Sequence, residues 1–83
     1  MVTPESIERT IAAGIPCTHL AVSGDGHHFE AVIVSEKFTG LTRIRQHQLV
    51  YSVLGDRMRE EIHALSMQTF TPEAWRESGG KVG

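Results

Sequence analysis

The 83-residue sequence is long enough for one small domain with a modest core. Its 40% hydrophobic content excludes a disordered chain, and its net charge of −2 gives no general attraction for nucleic acid or anionic membranes. No apolar run approaches the roughly 20 residues that span a bilayer, and the first residues lack the pattern of a secretory signal. We therefore expect a single cytoplasmic domain over residues 1–83, without membrane contact and with a frayed tail at 78–83.

The numbers of cysteines and histidines limit the metal chemistry of the chain. Cys17 is the only cysteine, which excludes an intramolecular disulfide and leaves too few thiolates for an iron–sulfur or structural zinc site in one chain. Histidine is more frequent, with five residues: His19, His27, His28, His47 and His63. A metal bound here must use histidine, carboxylate or ligands from a partner.

The first half of the chain predicts a helix followed by two strands. Residues 3–5 supply an N-cap, a proline at the first helical position and an acidic first turn, and two isoleucines follow at helical spacing. Residues 18–23 place Leu20 and Val22 on one face of an extended segment, and residues 29–35 are rich in β-branched and aromatic side chains. These two segments predict an antiparallel hairpin across a loop at 24–28.

The second half predicts a central helix, a third strand and a last helix. Apolar residues recur at helical spacing over 42–54, and Gly55 ends this pattern. Residues 56–61 are polar and suit a short additional turn. His63 opens a short strand, after which Thr71 and the proline that follows it are typical of a helix start.

The predicted order of elements is α-β-β-α-β-α, which defines an α+β domain. A helix that connects two strands of one sheet makes those strands parallel, whereas the hairpin makes its strands antiparallel. We therefore predict a three-stranded mixed sheet with helices on one face.

Three sequence blocks resemble the BolA family. Residues 22–29 (Val-Ser-Gly-Asp-Gly-His-His-Phe) are similar to the Ser-Gly-Asp-Gly-x-His-Phe loop of its IbaG-like branch. Residues 34–40 (Val-Ser-Glu-Lys-Phe-Thr-Gly) resemble the family's Val-Ser-x-x-Phe-x-Gly, and residues 63–75 resemble its closing His-Ala, strand, Thr-Pro-x-x-Trp segment. The blocks keep the family order, and the resemblance as a whole covers roughly residues 7–75. The resemblance implies the BolA fold, which is related to class II KH domains.

The resemblance also implies a function in iron–sulfur metabolism. BolA-like proteins act with a monothiol glutaredoxin to bind, transfer or regulate [2Fe-2S] clusters. The implied cluster is shared, with ligands from the glutaredoxin cysteine and glutathione, and the isolated chain holds none. His63 matches the family's strand-three histidine ligand, and His28 matches the histidine before the loop-end phenylalanine. Adjacent side chains on an extended backbone point to opposite sides, so only one of His27 and His28 is expected to be a ligand, and the choice stays open.

Two other functions compete with this hypothesis. One is a KH-like nucleic-acid-binding transcriptional regulator, and the other is a metal-free adaptor; a homodimer is also open. Many BolA proteins carry Arg-His-Arg early in the central helix, where this chain has Gln-His-Gln at residues 46–48. We expect nucleic-acid or partner contact there to be weak, and the four candidate residues are Lys37, Arg43, Arg45 and His47. We expect His47 to lie on a solvated helix face.

Neither a KH nucleic-acid loop nor an active site is supported by the sequence. The one Gly-x-x-Gly is at residues 80–83, after the last helix, whereas KH domains place it between two helices. The serines occur in no nucleophile-elbow context, and no glycine motif for phosphate is present. The chain is therefore predicted not to be an enzyme.

Overall fold

The computed structural model describes residues 2–60, 62 and 64–80, apart from the side chains of residues 59 and 60. The elements in chain order are α1 (Pro4–Gly14), β1 (His19–Gly24), β2 (His28–Val34), a 3-10 helix (Glu36–Phe38), α2 (Arg43–Leu54), α3 (Arg57–Glu60), β3 (Ala64–Phe70) and α4 (Pro72–Glu77). The predicted α-β-β-α-β-α order is confirmed. The short α3 occupies the segment for which an additional turn was predicted.

The three strands form one sheet in the order β1-β2-β3. β1 pairs with β2 in antiparallel register, with Leu20 opposite Ile33. β2 pairs with β3 in parallel register, with Ile33 opposite Thr69. The predicted three-stranded mixed sheet is therefore confirmed, with β2 in the middle.

Helices α1 and α2 cover one face of this sheet. A reciprocal capping box begins α1, in which the backbone N–H groups of Thr3 and Ser6 each donate to the side-chain hydroxyl of the other residue. The core beneath the helices contains large side chains from the helices, strands and connector, including Ile7, Ile11, Ile15, Phe29, Ile33, Phe38 and Val50. A Cβ built on Gly14 would lie 2.5 Å from Cγ1 of Val53, so a glycine permits the close approach of α1 and α2.

The opposite face of the sheet is covered at one end by α4. Val34 follows Ile33 and therefore points away from the α1/α2 core, yet it is fully buried. In the sheet register, Val34 lies between His19 of β1 and Phe70 of β3. The Trp75 ring packs against both of these aromatic side chains and thus covers this end of the second face.

The chain after α4 continues its hydrogen bonding for three residues. The amide groups of Ser78, Gly79 and Gly80 donate to carbonyl groups of Ala74, Arg76 and Trp75, respectively. The sequence predicted a frayed tail from residue 78, and residues 81–83 of that tail lie outside the described part of the chain.

Candidate functional site

His28 is the first residue of β2, and its side chain is exposed. The backbone N–H of His28 donates to Oδ1 of Asp25 at 2.8 Å, and the N–H of His27 donates to the same oxygen at 2.9 Å. The Asp25 N–H donates to the His28 carbonyl at 3.1 Å. This compact turn holds the backbone of His28, which explains why β2 begins one residue before the predicted strand at Phe29.

The carboxylate of Asp25 is held in its ionised form by the same turn. The hydrogen bond from the His28 backbone N–H is the largest cause that lowers the pKa of Asp25, followed by the bond from the His27 N–H. Both donors favour the charged carboxylate over the neutral acid. The turn beside His28 is therefore fully formed while Asp25 is ionised.

Two glycines give this turn its shape. A Cβ on Gly24 would lie 2.5 Å from Cδ1 of Phe29 and 2.6 Å from the carbonyl oxygen of His28, so a side chain has no room there. Gly26 has a φ of +100°, a conformation that L residues with side chains rarely adopt. The Gly-Asp-Gly sequence thus specifies the path of the backbone into His28.

The sheet register relates His28 to the third strand. His28 lies opposite Ala64, the first residue of β3 and the residue that follows His63 in the sequence. The predicted ligand His63 lies outside the described residues. Across residues 2–60, 62 and 64–80, the structure shows no group of three or more His, Cys, Asp or Glu side chains that could hold a metal ion.

His47 occupies a different surface, beside the second half of β3. It is half-buried on α2 rather than on a solvated face as expected, and together with Arg43 it lines a groove of about 220 Å³ with residues 67–70. Burial, and secondarily the charge of Arg43, lowers the pKa of His47. The structure thus joins two of the four predicted contact residues in one groove, whereas Lys37 and Arg45 are exposed outside its lining.

Cys17 and the Asp25 turn lie at opposite ends of β1. Cys17 is half-buried, and its Sγ is 3.2 Å from the Ile15 carbonyl oxygen. Burial raises the pKa of this thiol, which disfavours the thiolate form that binds metals.

In the described part of the chain, no helix is both long and apolar enough to cross a membrane.

A family model for BolA-like proteins matches residues 7–74 of the chain. The chain belongs to the BolA family. It is 34% identical over 70 residues to the acid stress protein IbaG of Escherichia coli, and the match covers 83% of each chain. It is 38% identical over 64 residues to the DNA-binding transcriptional regulator BolA of Haemophilus influenzae, and this match covers 77% of the chain and 62% of the relative. These similarities confirm the predicted BolA membership.

Solved structures agree with this assignment. A BolA homologue from Coxiella burnetii superposes with a TM-score of 0.82 at 43% identity, over 92% of this chain and 99% of the other. A Bol-like protein from Babesia bovis gives a TM-score of 0.86 at 29% identity, over 95% of both chains. The chain spans only 53% of the length of human BolA-like protein 1, so it corresponds to about half of that relative.

Gln46 distinguishes this chain from BolA proteins that carry Arg-His-Arg in the central helix. Its Nε2 donates to the Leu41 carbonyl at 3.0 Å and to the Phe38 carbonyl at 3.3 Å, and its Oε1 accepts from the Thr69 hydroxyl at 2.6 Å. In the sequence, Gln46 is distinguished only by the absence of the arginine charge. Its spacing of four residues before the buried Val50 is the signal that places it on the inner side of α2.

Proposed function

We propose that this BolA-family chain is a non-catalytic, cytoplasmic partner of a monothiol glutaredoxin and helps to bind, transfer or regulate [2Fe-2S] clusters. The observation that carries the proposal is the sheet register, in which His28 lies opposite Ala64, the residue after His63. His28, one of the two histidines that resemblance to the family identifies, thus pairs with the residue that directly follows the other in the sequence. The glutaredoxin cysteine and glutathione would supply the other ligands of the shared cluster.

The position of His28 suits a ligand that meets a partner protein. Its side chain is exposed, so a second protein can approach it, while its backbone is held by the Asp25 turn and by pairing with β3. Fixing one residue's backbone costs about 1–2 kcal/mol, and in His28 this ordering is complete before any ligand binds. A neutral imidazole in place of a thiolate also removes negative charge from a [2Fe-2S] centre, which raises its reduction potential.

The test compares three histidine variants in a reconstituted complex with a monothiol glutaredoxin and glutathione. The readouts are visible circular dichroism of the oxidised cluster and paramagnetic resonance of the reduced cluster. We expect His63→Ala to abolish the imidazole signature and His28→Ala to weaken or alter it. His27→Ala is the matched control, because it removes an exposed imidazole from the same turn.

Two results would change the proposal. If His63→Ala gives spectra identical to those of the unmodified chain, the ligand assignment fails and a metal-free adaptor replaces it. If His27→Ala alters the spectra and His28→Ala does not, the loop ligand is His27. Circular dichroism in the far ultraviolet checks that each variant keeps the fold.

Nucleic-acid binding is the second candidate function. It is favoured by the name of the Haemophilus influenzae relative, a DNA-binding transcriptional regulator, and by the exposed side chains of Lys37, Arg43 and Arg45. The net charge of −2 and the glutamines at positions 46 and 48 oppose it. Labelled duplex DNA should bind weakly at physiological salt, in the non-specific range of about 10⁻⁴ to 10⁻⁶ M or weaker. Sequence-specific nanomolar binding would favour a regulator instead.

A further inference from the structure

β3 is an edge strand whose outer side has unused backbone groups. The Ser35 N–H donates to the Phe70 carbonyl at 3.0 Å, so the backbone polar groups of Phe70 point towards β2. Successive residues of a strand direct these groups to alternate sides, and those of Met67 and Thr69 therefore point away from β2. Within the described residues, no strand pairs with that outer side. Such an edge is able to accept another extended segment.

Cationic and polar side chains of α2 border this edge. Arg43 and His47 line the groove of about 220 Å³ whose other wall is residues 67–70 of β3. Arg43 is exposed and close enough to His47 for its charge to act on that ring. A carboxylate placed in the groove would meet the guanidinium of Arg43, and Arg–carboxylate pairs form strong, directional hydrogen bonds.

The outward side of α2 next to the groove is apolar. Ile44 is 70% exposed and Tyr51 is 41% exposed, and these are the large hydrophobic side chains that the described residues expose. With His47 they occupy positions i, i+3 and i+7 of the helix, which lie on one side of it. One exposed apolar side chain is ordinary, but two on the same side of a helix beside an unpaired edge provide contact area for a bound segment.

We propose that the outer edge of β3 binds an extended, acidic segment of a partner protein, which adds to the sheet as a fourth strand. Its backbone pairs with Met67 and Thr69, its carboxylates meet Arg43, and its apolar side chains pack on Ile44 and Tyr51. This mode of recognition takes affinity from main-chain hydrogen bonds and specificity from alternate side chains. It does not depend on the cluster-binding function.

The charge and composition of the surface favour a protein segment over nucleic acid. A phosphate backbone is bound through many cations, whereas this groove contributes Arg43 and a histidine whose pKa is lowered. Unpaired backbone groups and exposed aliphatic surface match an extended peptide.

The test uses the defined peptide acetyl-Glu-Val-Glu-Val-Glu-Val-Glu-amide and the 83-residue chain. Amide hydrogen exchange followed by nuclear magnetic resonance should show slower exchange at Met67 and Thr69 at saturating peptide. Arg43→Glu should weaken binding by about tenfold or more, since it turns an attraction into a repulsion. Arg76→Glu is the matched control, because Arg76 is exposed on α4 away from this groove, and it should leave the affinity unchanged.

Two modified peptides separate strand addition from simple charge attraction. A peptide with lysine in place of every glutamate should bind more weakly. A peptide methylated on alternate backbone nitrogens should no longer slow amide exchange at Met67 and Thr69. Ile44→Ser, a change at an exposed position, should weaken binding independently of charge.

Three outcomes would overturn the proposal. They are unchanged exchange at Met67 and Thr69, equal affinity for the acidic and the basic peptide, and equal affinity for the backbone-methylated peptide. A single-stranded oligonucleotide that protects the same amides at a lower concentration than the acidic peptide would assign the edge to nucleic acid instead.

Discussion

The imidazole ring of His19 lies against the indole ring of Trp75, with ring centroids 4.9 Å apart and planes inclined by 20°. His19 begins β1 and Trp75 lies on α4, so the stack joins the first strand to the last helix. Phe70 contacts the same indole at a centroid distance of 5.1 Å. These rings cover the end of the sheet face that α1 and α2 leave open.

Trp75→Ala should therefore lower the free energy of unfolding by about 2–4 kcal/mol, because it removes a half-buried aromatic ring and its two ring contacts. His19→Ala should lower it by about 1 kcal/mol. The measurement is urea denaturation followed by far-ultraviolet circular dichroism, since Trp75 is the only tryptophan and its loss removes the fluorescence signal. A double-mutant cycle should give a coupling of about 0.5–1.5 kcal/mol, and strict additivity would contradict an energetic role for the stack.

Substitution of Gly24 should disturb His28 through packing alone. Gly24→Ala places a methyl group against Phe29 and against the His28 carbonyl, and should lower the free energy of unfolding by about 1–3 kcal/mol. Ser23→Ala, at the exposed neighbouring position, should change it by less than about 0.5 kcal/mol. Urea denaturation measures both, and the His28 amide chemical shift should move only in Gly24→Ala. Equal effects of the two substitutions would mean that the turn has room for a side chain.

Gln46 should stabilise the fold through its hydrogen bonds. Each ordinary hydrogen bond contributes about 0.5–1.5 kcal/mol, so Gln46→Ala should lower the free energy of unfolding by about 2–4 kcal/mol. Gln48→Ala, an exposed position on the same helix, is the control and should have little effect. Gln46→Arg should also destabilise the chain, since arginine offers no acceptor to the Thr69 hydroxyl. A stability unchanged by Gln46→Arg would show that the bond to Thr69 contributes little.

Stability should fall in a first step as the pH is lowered through the ordinary histidine pKa of about 6.5. The fold lowers the pKa of His47, so the unfolded chain takes up this proton before the folded chain does. The contribution of neutral His47 to the stability is therefore fully present above the pKa that this residue has in the unfolded chain. It is lost as the pH falls towards the lower pKa in the folded chain. His47→Gln should reduce this loss between pH 7.5 and 5.5 in urea denaturation. An unchanged loss in that variant would exclude His47 as its source.

A second loss of stability should follow at lower pH, when the Asp25 carboxylate is protonated. The turn lowers the pKa of Asp25 below its ordinary value of about 3.9, so protonation favours the unfolded state as the pH falls through this range. Asp25→Asn should flatten this step, and the local measure is faster exchange of the His27 and His28 amide protons at low pH. If those protons exchange equally fast at neutral and low pH after correction for intrinsic rates, the carboxylate does not hold the turn.

The sequence by itself determined the order of elements and the turn before His28. Helix caps such as Thr3, alternation in the strands and the Gly-Asp-Gly turn act between residues close in the chain, so a local pattern is sufficient to predict them. The parallel pairing of β3 also followed, because a helix connecting two strands of one sheet constrains their direction. The family motifs added His28 and His63 as candidates.

Only the tertiary structure decided which distant side chains meet. The contacts of His19 with Trp75 and of Gln46 with Thr69 depend on the sheet register and on the placement of α2 and α4, which no local pattern encodes. The same holds for the groove that joins Arg43 to the edge of β3. From the sequence alone, a glutamine is expected to be exposed to solvent. A buried polar group is nevertheless stable where the fold supplies hydrogen-bond partners, and for Gln46 those partners come from other parts of the chain.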